Sequence, residues 1–379
     1  MTSRQSHELV LHVTEASLGG LRRHVADLMQ GLHALGVRQV LAYSSARADS
    51  GMRLLVAWCD SVGIPTIELE MHRRVAPVSD LRAVVALRAQ IRRLAPTVLH
   101  LHSSKAGGVG RLAALGVPLL RVVYTPNGLA THLSRAFEFL ERILGHLRTD
   151  SLIAVSTTEY NEIASMRIVP ASRLIRIDAG ISAEETVALA GSPPAPAHPT
   201  VVLVGRLTAQ KDPLFAAEVS ARVIRRLPQA RFVWVGDGEL RPDFEARIRA
   251  LGVEDRWTIT GWVENPFGFV AAGTVCALVS RYEGVGYVNL EAMALGKPMI
   301  ATRVAGSGDL VVDGVTGLLL PLDDLEGFAS ATARLLADEA TCRAMGKAAQ
   351  ERVALFSRDR MAQETLELYA TLAGGARRS

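Results

Sequence analysis

The chain has 379 residues, 49% apolar and 21% charged, which excludes a disordered chain and supplies apolar side chains for more than one core. No apolar run reaches the roughly 18 residues a membrane-spanning helix needs. The first residues show no charged segment followed by an apolar one, so neither an anchor nor a leader is expected. The net charge of +4 is uneven: residues 1–190 hold 21 Lys and Arg against 16 acids, and residues 191–379 hold 21 against 22.

Cys59, Cys276 and Cys342 have neither metal-site nor disulfide spacing and read as core fillers in a reducing cytoplasm. In the first half 20 of the 21 cations are arginine. They cluster at Arg73 and Arg74, at Arg82, Arg88, Arg92 and Arg93, and at Arg135, Arg142 and Arg148. Such a surface suits anionic lipid or a phosphorylated acceptor, and equally a plain solvated face. No aromatic residues interleave with the cations, which argues against nucleic acid.

Taken in chain order, 8–14 reads as a strand, 20–37 as an amphipathic helix and 39–45 as a strand. A helix at 80–96 is followed by strands at 97–103, 121–128 and 151–157. Strands alternating with helices imply parallel βαβ units, and continuous apolar strands fit a sheet covered on both faces. His100 and His102 alternate on one strand and so share a side; His102, at the carboxyl end, is placed to reach a ligand. His24 falls within a helix and is expected on its surface. "GVGRLA" at 108–113 fits a dinucleotide pattern, but it lies past its strand and is not on the first strand, so an NAD oxidoreductase is not favoured.

The proline-rich stretch at 188–200 reads as an interdomain linker. Afterwards the alternation restarts, with strands at 200–205, 231–236, 257–261, 275–280, 298–303 and 317–322 and a closing helix at 360–373. The expected fold class is therefore α/β: two doubly wound parallel-sheet domains, 1–190 and 191–357, with a 358–379 helix packing back on the first. Ligands of such sheets sit at the carboxyl ends of the strands, and with two facing domains the expected site is the cleft between them.

Four features of the second half point to one ligand. Arg206 and Lys211 follow a strand, where cations reach a phosphate. Gly236 and Gly238 end the next strand and permit close backbone approach. "TGWV" at 260–263 offers the flat side chain of Trp262. Last, Glu283 and Glu291 bracket Gly284 and Gly286 just where "EAMALG" reads as a helix. A helix start binds phosphate through free N–H groups, and acids accept hydrogen bonds from sugar hydroxyls. Acid, phosphate-binding amides, acid matches a nucleotide sugar, which carries hydroxyls on either side of a diphosphate.

In this order the motifs resemble the retaining glycosyltransferases of family 4, which have the GT-B fold of two Rossmann-like domains. The likeness runs through "GRLTAQKDP", "VGDGEL", "TGWV", "EAMALGKPMIAT" and "GDLVVDGVTGLLLPLDD" and covers essentially all of 200–370. It implies that Glu291 binds the donor ribose and Glu283 the hydroxyls of the donor sugar. Arg206 and Lys211, beside Gly205, would hold the diphosphate. Backbone around Gly284, Val285, Gly286, Tyr287 and Val288 would hold phosphate and sugar, Gly236 would be a further donor contact, and residues near Trp262 would line the base pocket. "SLGGLRRHV" at 17–25 is similar to the family's glycine loop, with Gly19 and Gly20 turned to the donor phosphates. "LHLHSSKAGGVGRLAA" at 99–114 is similar to members that build polysaccharides or glycolipids. Asn127 stands in "TPNG" where the family often has a histidine on the donor sugar, so a sugar contact is expected there or the role passes to His102. Ala179 replaces the usual Asn of the N-G-I-D motif.

The resemblance implies a glycosyltransferase that moves a sugar, with retention, from a nucleoside-diphosphate sugar (UDP favoured) to a lipid-linked or polysaccharide glycan. The acceptor hydroxyl would attack from the leaving-group side. No Asp-x-Asp pair occurs, so no metal and no cofactor are expected; Lys211, Arg206 and the helix start would carry the leaving phosphate's charge. Catalytic roles fall to Glu283, Lys211, Arg206 and His102. The expected location is cytoplasmic, peripheral at the inner face of the membrane. A small natural-product acceptor, a sugar-nucleotide epimerase of the same architecture and a non-catalytic scaffold remain as alternatives.

Overall fold

Predominantly apolar runs become strands buried on both faces, and the amphipathic stretches between them become the helices that cover those faces. The computed structural model describes residues 9–15, 19–46, 50–72, 74–129 and 134–375. Ser17, Leu18 and Arg73, which belonged to the expected glycine loop and arginine cluster, lie outside the described residues. The chain divides into two units, residues 1–180 with 358–379, and residues 181–357.

The first unit runs β1 (Leu9–Thr14), α1 (Gly19–Ala34), β2 (Arg38–Tyr43), α2 (Ser50–Ser61), β3 (Thr66–Glu68), α3 (Pro77–Leu94), β4 (Val98–His102), α4 (Ser104–Ala113), β5 (Arg121–Thr125), α5 (Arg135–Arg148), β6 (Ser151–Ala154), α6 (Thr157–Met166) and β7 (Leu174–Arg176). Serines start three of the helices: the hydroxyls of Ser103, Ser134 and Ser156 accept from the amides of Ala106, Phe137 and Glu159. The seven strands are parallel, in the order β3-β2-β1-β4-β5-β6-β7. Leu11, Val13, Leu99 and Leu101 face a core completed by Leu87 and Ile91 of α3 and Val109 of α4. Val10, Val98 and Val123 face the other side, under Leu28 and Leu32 of α1. "GVGRLA" lies inside α4 rather than at a strand-to-helix turn, which removes the dinucleotide reading.

The second unit runs α7 (Ala183–Ala190), β8 (Thr200–Val204), α8 (Pro213–Arg226), β9 (Arg231–Val235), α9 (Arg241–Ala250), β10 (Trp257–Ile259), α10 (Phe267–Ala272), β11 (Val275–Leu278), α11 (Tyr287–Ala294), β12 (Met299–Thr302), α12 (Ala305–Leu310), β13 (Gly317–Leu320), α13 (Leu325–Ala337) and α14 (Glu339–Val353). Its six parallel strands follow the order β10-β9-β8-β11-β12-β13. The last helix, α15 (Arg358–Gly375), belongs to the first unit, where Met361, Ala362 and Tyr369 pack under Val10 and Val98.

The division falls at 180/181 and 357/358, ahead of the 190/191 boundary expected from the prolines. The reason is packing: α7 lies against α10 and α11, and the Ile181 amide donates to the Phe356 carbonyl at 2.9 Å. The proline-rich segment therefore joins two elements of the second unit. Strands β3 and β7 have only three residues each, too short to show a period in the sequence.

Candidate active site

In the second sheet the strand order reverses between β8 and β11, and the loops leaving their carboxyl ends open the crevice where ligands of such sheets bind. The two loops are laced together. The Arg281 amide donates to the Gln210 carbonyl at 2.9 Å, and the Gln210 side-chain amide donates to the Tyr282 carbonyl at 3.0 Å. The Arg281 guanidinium reaches Asp212 at 2.8 Å, and Asp212 itself caps α8 through the Phe215 amide. Between these ties Lys211 Nζ donates to Glu283 Oε1 at 2.5 Å, with side chains 16% and 8% exposed. Arg206, on the same loop, is exposed and has no side-chain hydrogen bond or ion pair among the described residues.

The helix start is where the expectation needs correction. α11 begins at Tyr287, so Glu291 sits in its second turn rather than its first, and it is nine-tenths buried. The sequence misled because Tyr287, Val288 and Asn289 are poor helix formers; burial of Tyr287, Asn289 and Leu290 overrides propensity. Gly286 caps the helix at φ 70°, a left-handed conformation, and no side chain caps the first amides. α12 packs so closely that a Cβ on Gly306 would lie 2.8 Å from the Gly284 carbonyl oxygen, which holds the Gly284–Gly286 loop in place.

The loops after β9 and β10 share this edge. The Trp234 indole donates to the Gly205 carbonyl at 2.8 Å, and the Leu207 amide donates to the Asp237 carbonyl at 3.0 Å. A Cβ on Gly236 would sit 2.1 Å from the Gly205 carbonyl oxygen, so only glycine lets these two strand ends meet. Gly236 also bridges Gly261, which places Trp262, 53% exposed, at the end of the same row. Gly205, Arg206, Lys211, Gly236, Trp262, Glu283, Gly284, Val285, Gly286, Tyr287, Val288 and Glu291 thus all belong to four adjoining strand ends of one unit.

Sequence reasoning passed over three buried polar atoms here. Thr208 Oγ1, Ser280 Oγ and Asn289 Oδ1 have no hydrogen-bond partner among the described residues. A buried polar group usually finds one, so these are candidate ligand contacts. Asn289 in an otherwise apolar helix start was the one available signal.

In the first unit the order reverses between β1 and β4, and there the expectation for histidine fails. His100 and His102 do share a side, but both are fully buried, together with His12 of β1 and His24 of α1. His102 Nε2 lies 3.1 Å from His12 Nδ1, and its ring lies 4.1 Å from that of His100. The nitrogens of His12, His100 and His102 come within 4.8 Å of one another, the one such group among the described residues that could hold a metal ion. His100, however, is engaged at both nitrogens, by Tyr369 Oη at 2.6 Å and Thr125 Oγ1 at 2.7 Å. Burial lowers the His12 pKa to about 3 and that of His24 to about 4, and pushes His100 and His102 well below the ordinary range. The group is a neutral, buried layer under α1 and α15 in which no atom of His102 is exposed; His12 Nε2 and His102 Nδ1 have no hydrogen-bond partner among the described residues.

Gly19 and Gly20 are the exposed first residues of α1. Asn127 follows β5 at φ 56°, half-buried, donating to the Thr125 carbonyl at 3.3 Å. Its neighbour Gly128 donates its amide to Glu159 at 2.7 Å, and the Val155 amide donates to the other Glu159 oxygen at 2.8 Å. Burial nevertheless raises the Glu159 pKa to about 7. Ala179 is buried, with its amide on the Val155 carbonyl at 3.1 Å.

Residues 18–185 match the model described as Glycosyltransferase Family 4, and residues 198–338 the one described as Glycosyl transferases group 1. The alpha-D-kanosaminyltransferase of Streptomyces kanamyceticus is 30% identical over 278 residues, 67% of this chain and 72% of that one. The UDP-Gal:alpha-D-GlcNAc-diphosphoundecaprenol alpha-1,3-galactosyltransferase of Escherichia coli is 27% identical over 286 residues, 70% and 73% of the two chains. Among solved structures, Anabaena HepE in complex with UDP and glucose superposes with a TM-score of 0.81 at 19% identity, over 96% of this chain and 100% of that one. That agreement shows the GT-B fold. With matches to the family in both units, and relatives of that identity and span, the chain is a glycosyltransferase and belongs to family 4, the group 1 glycosyltransferases.

Proposed function

We propose that this glycosyltransferase moves a sugar from a UDP-sugar to a hydroxyl of a lipid-linked or polysaccharide glycan, with retention at the anomeric carbon and without a metal ion. The observation that carries the donor side is the Lys211–Glu283 pair, held between two laced loops beside the uncapped start of α11. A diphosphate offers oxygens to Lys211, Arg206 and the first α11 amides, and a sugar offers hydroxyls to Glu283. The ligand thus replaces the internal ion pair with contacts for both members. As the anomeric carbon–oxygen bond breaks, charge grows on the leaving phosphate next to these donors. The acceptor oxygen bonds to the same face of that carbon and passes its proton to the departing phosphate oxygen. Glu291, a turn further into α11, suits the ribose.

Support for the acceptor comes from relatives named for diphosphoundecaprenol and lipopolysaccharide core transfer. The kanosaminyltransferase relative supports the second reading, a small-molecule acceptor. Peripheral contact with the inner membrane face accompanies the lipid-linked reading.

The test is a thermal-shift series with UDP, GDP, ADP and CMP, with and without added divalent metal. One nucleotide at 100 times its dissociation constant is expected to add about 2.7 kcal/mol, equally with and without metal. Absence of any shift refutes the donor assignment. Lys211→Ala is expected to lower turnover by at least about 100-fold; near wild-type turnover removes Lys211 from the reaction. Assays with lipid-linked and water-soluble acceptors then separate the two acceptor readings.

A further inference from the structure

Helices α3, α4 and α5 form one layer over the first sheet, with α4 packed between the other two. The outer face of this layer is apolar where an ordinary helix surface is polar. Of the 23 large apolar side chains exposed among the described residues, 11 fall between Val75 and Leu147. On α3 the buried line is Ala83, Leu87 and Ile91, and on the opposite side Val78, Leu81 and Val85 recur at helical spacing, 67%, 64% and 61% exposed. On α5 the buried line is Glu141, Leu144 and Gly145, and Phe139, Leu140, Ile143 and Leu147 form a second exposed stripe.

The segment after α4 joins the stripes. Arg88 of α3 donates to the carbonyls of Ala113 and Leu115, and Arg148 of α5 donates to those of Ala114 and Leu120. Held from both sides, this segment exposes Leu115 and Leu119 between the two helices. Exposed large apolar side chains gathered on one helical layer and its adjoining segment are the pattern of an interaction surface.

Charge identifies the occupant. From Arg74 to Arg148 the sequence holds eleven Lys or Arg and three acids. Each acid is taken: Asp80 by Lys105, Glu138 by Arg142 and Glu141 by Arg111. Arg74, Arg82, Arg92, Arg93 and Arg135 are exposed with no side-chain hydrogen bond or ion pair among the described residues. A second copy of the chain brought to this face would oppose one cationic surplus with another. An anionic bilayer neutralises it and takes up the apolar strip at the headgroup boundary. No helix among the described residues is long and apolar enough to cross a membrane, so the contact is peripheral.

We propose that the outer face of α3, α4 and α5 docks the enzyme on an anionic lipid surface. The proposal deepens the membrane-facing part of the proposed function. Its test uses neither donor nor acceptor, so its failure leaves the sugar-transfer reading standing.

The full-length chain is sedimented with vesicles of phosphatidylcholine alone or with about a third phosphatidylglycerol. Binding is expected on the anionic vesicles only, and about 0.5 M salt weakens it by screening. Arg82→Gln with Arg135→Gln is expected to lower vesicle affinity about 25-fold, or about fivefold per arginine. Phe139→Ser with Leu147→Ser is expected to weaken binding at unchanged charge and unchanged thermal midpoint, since both side chains are exposed. No binding of the wild-type chain to anionic vesicles overturns the proposal. So does full binding by the Phe139→Ser/Leu147→Ser variant, which reduces the effect to bulk charge. A wild-type dimer that the same variant dissociates assigns the face to a second copy instead.

Discussion

Lys211 and Glu283 lie 72 positions apart and meet because their two strands are neighbours at the point where the order reverses. Both were legible as functional residue types at the ends of strands; their direct pairing was not, since no local pattern reports a contact between distant loops. Gly236 shows the same limit. Its place after a strand suggested close approach, and the structure supplies the partner, the Gly205 carbonyl. Gly236→Ala is expected to cost more than the roughly 1–3 kcal/mol of a strained backbone position, because a steric clash adds to a φ of 142°. Gly252→Ala is the control: it has a left-handed φ of 68° but open space around a Cβ, so its cost is expected to stay near 1 kcal/mol. Urea midpoints of the two variants check the difference; equal losses would show that contact with Gly205 contributes nothing. His102 is the residue that sequence reasoning placed wrongly. Alternation gave its side of the sheet, and only the helices α1 and α15 decide that this side is covered.

At the scale of elements, α11 begins a turn earlier than its helix formers suggest, because apolar packing of Tyr287 and Leu290 outweighs the weak propensity of Tyr287, Val288 and Asn289. The α4–α5 contact was not legible at all. Arg111, fully buried, donates twice to Glu141 at 2.8–2.9 Å and stacks 4.4 Å over the Tyr124 ring. Burial raises the Glu141 pKa while Arg111 opposes that shift, so the pair survives as ions only together. Glu141→Ala is expected to destabilise by about 3–5 kcal/mol because it leaves a buried guanidinium unpaired. Replacing both, Arg111→Met with Glu141→Leu, is expected to recover most of that loss. Denaturant titration of the single and double variants decides, and a double variant as weak as the single one sinks the argument. The same contact orients the α5 stripe that faces the lipid in our proposal.

Over the whole molecule the histidines divide the two units. His12, His24, His100 and His102 are buried and neutral in the first unit, whereas the second unit contains only His198, which is exposed. Their folded pKa values lie below the unfolded value of about 6.5, so between the two the unfolded chain binds more protons. Stability from this layer is therefore complete above about pH 6.5 and falls as the pH drops toward 4 for His24 and toward 3 for His12. At about pH 5 the loss is roughly 2 kcal/mol for each of these two, with His100 and His102 adding in the same direction. Amide exchange at about pH 7.5 and about pH 5 is the measurement. Protection in α1 and β4 is expected to drop far more than in β8 and β11; equal losses in both units would place acid sensitivity elsewhere.

Periodicity and composition determined the class of this protein on their own. Continuous apolar strands alternating with amphipathic helices admit little besides covered parallel sheets, and the motif set of the second half fits one family. Those signals are local, carried by a few consecutive residues. Strand order, the packing of α7 against its own unit and the covering of the histidine layer depend on contacts far apart in the chain. So the boundary at 180/181, the pairing of Lys211 with Glu283 and the burial of His102 were decided only by the tertiary structure.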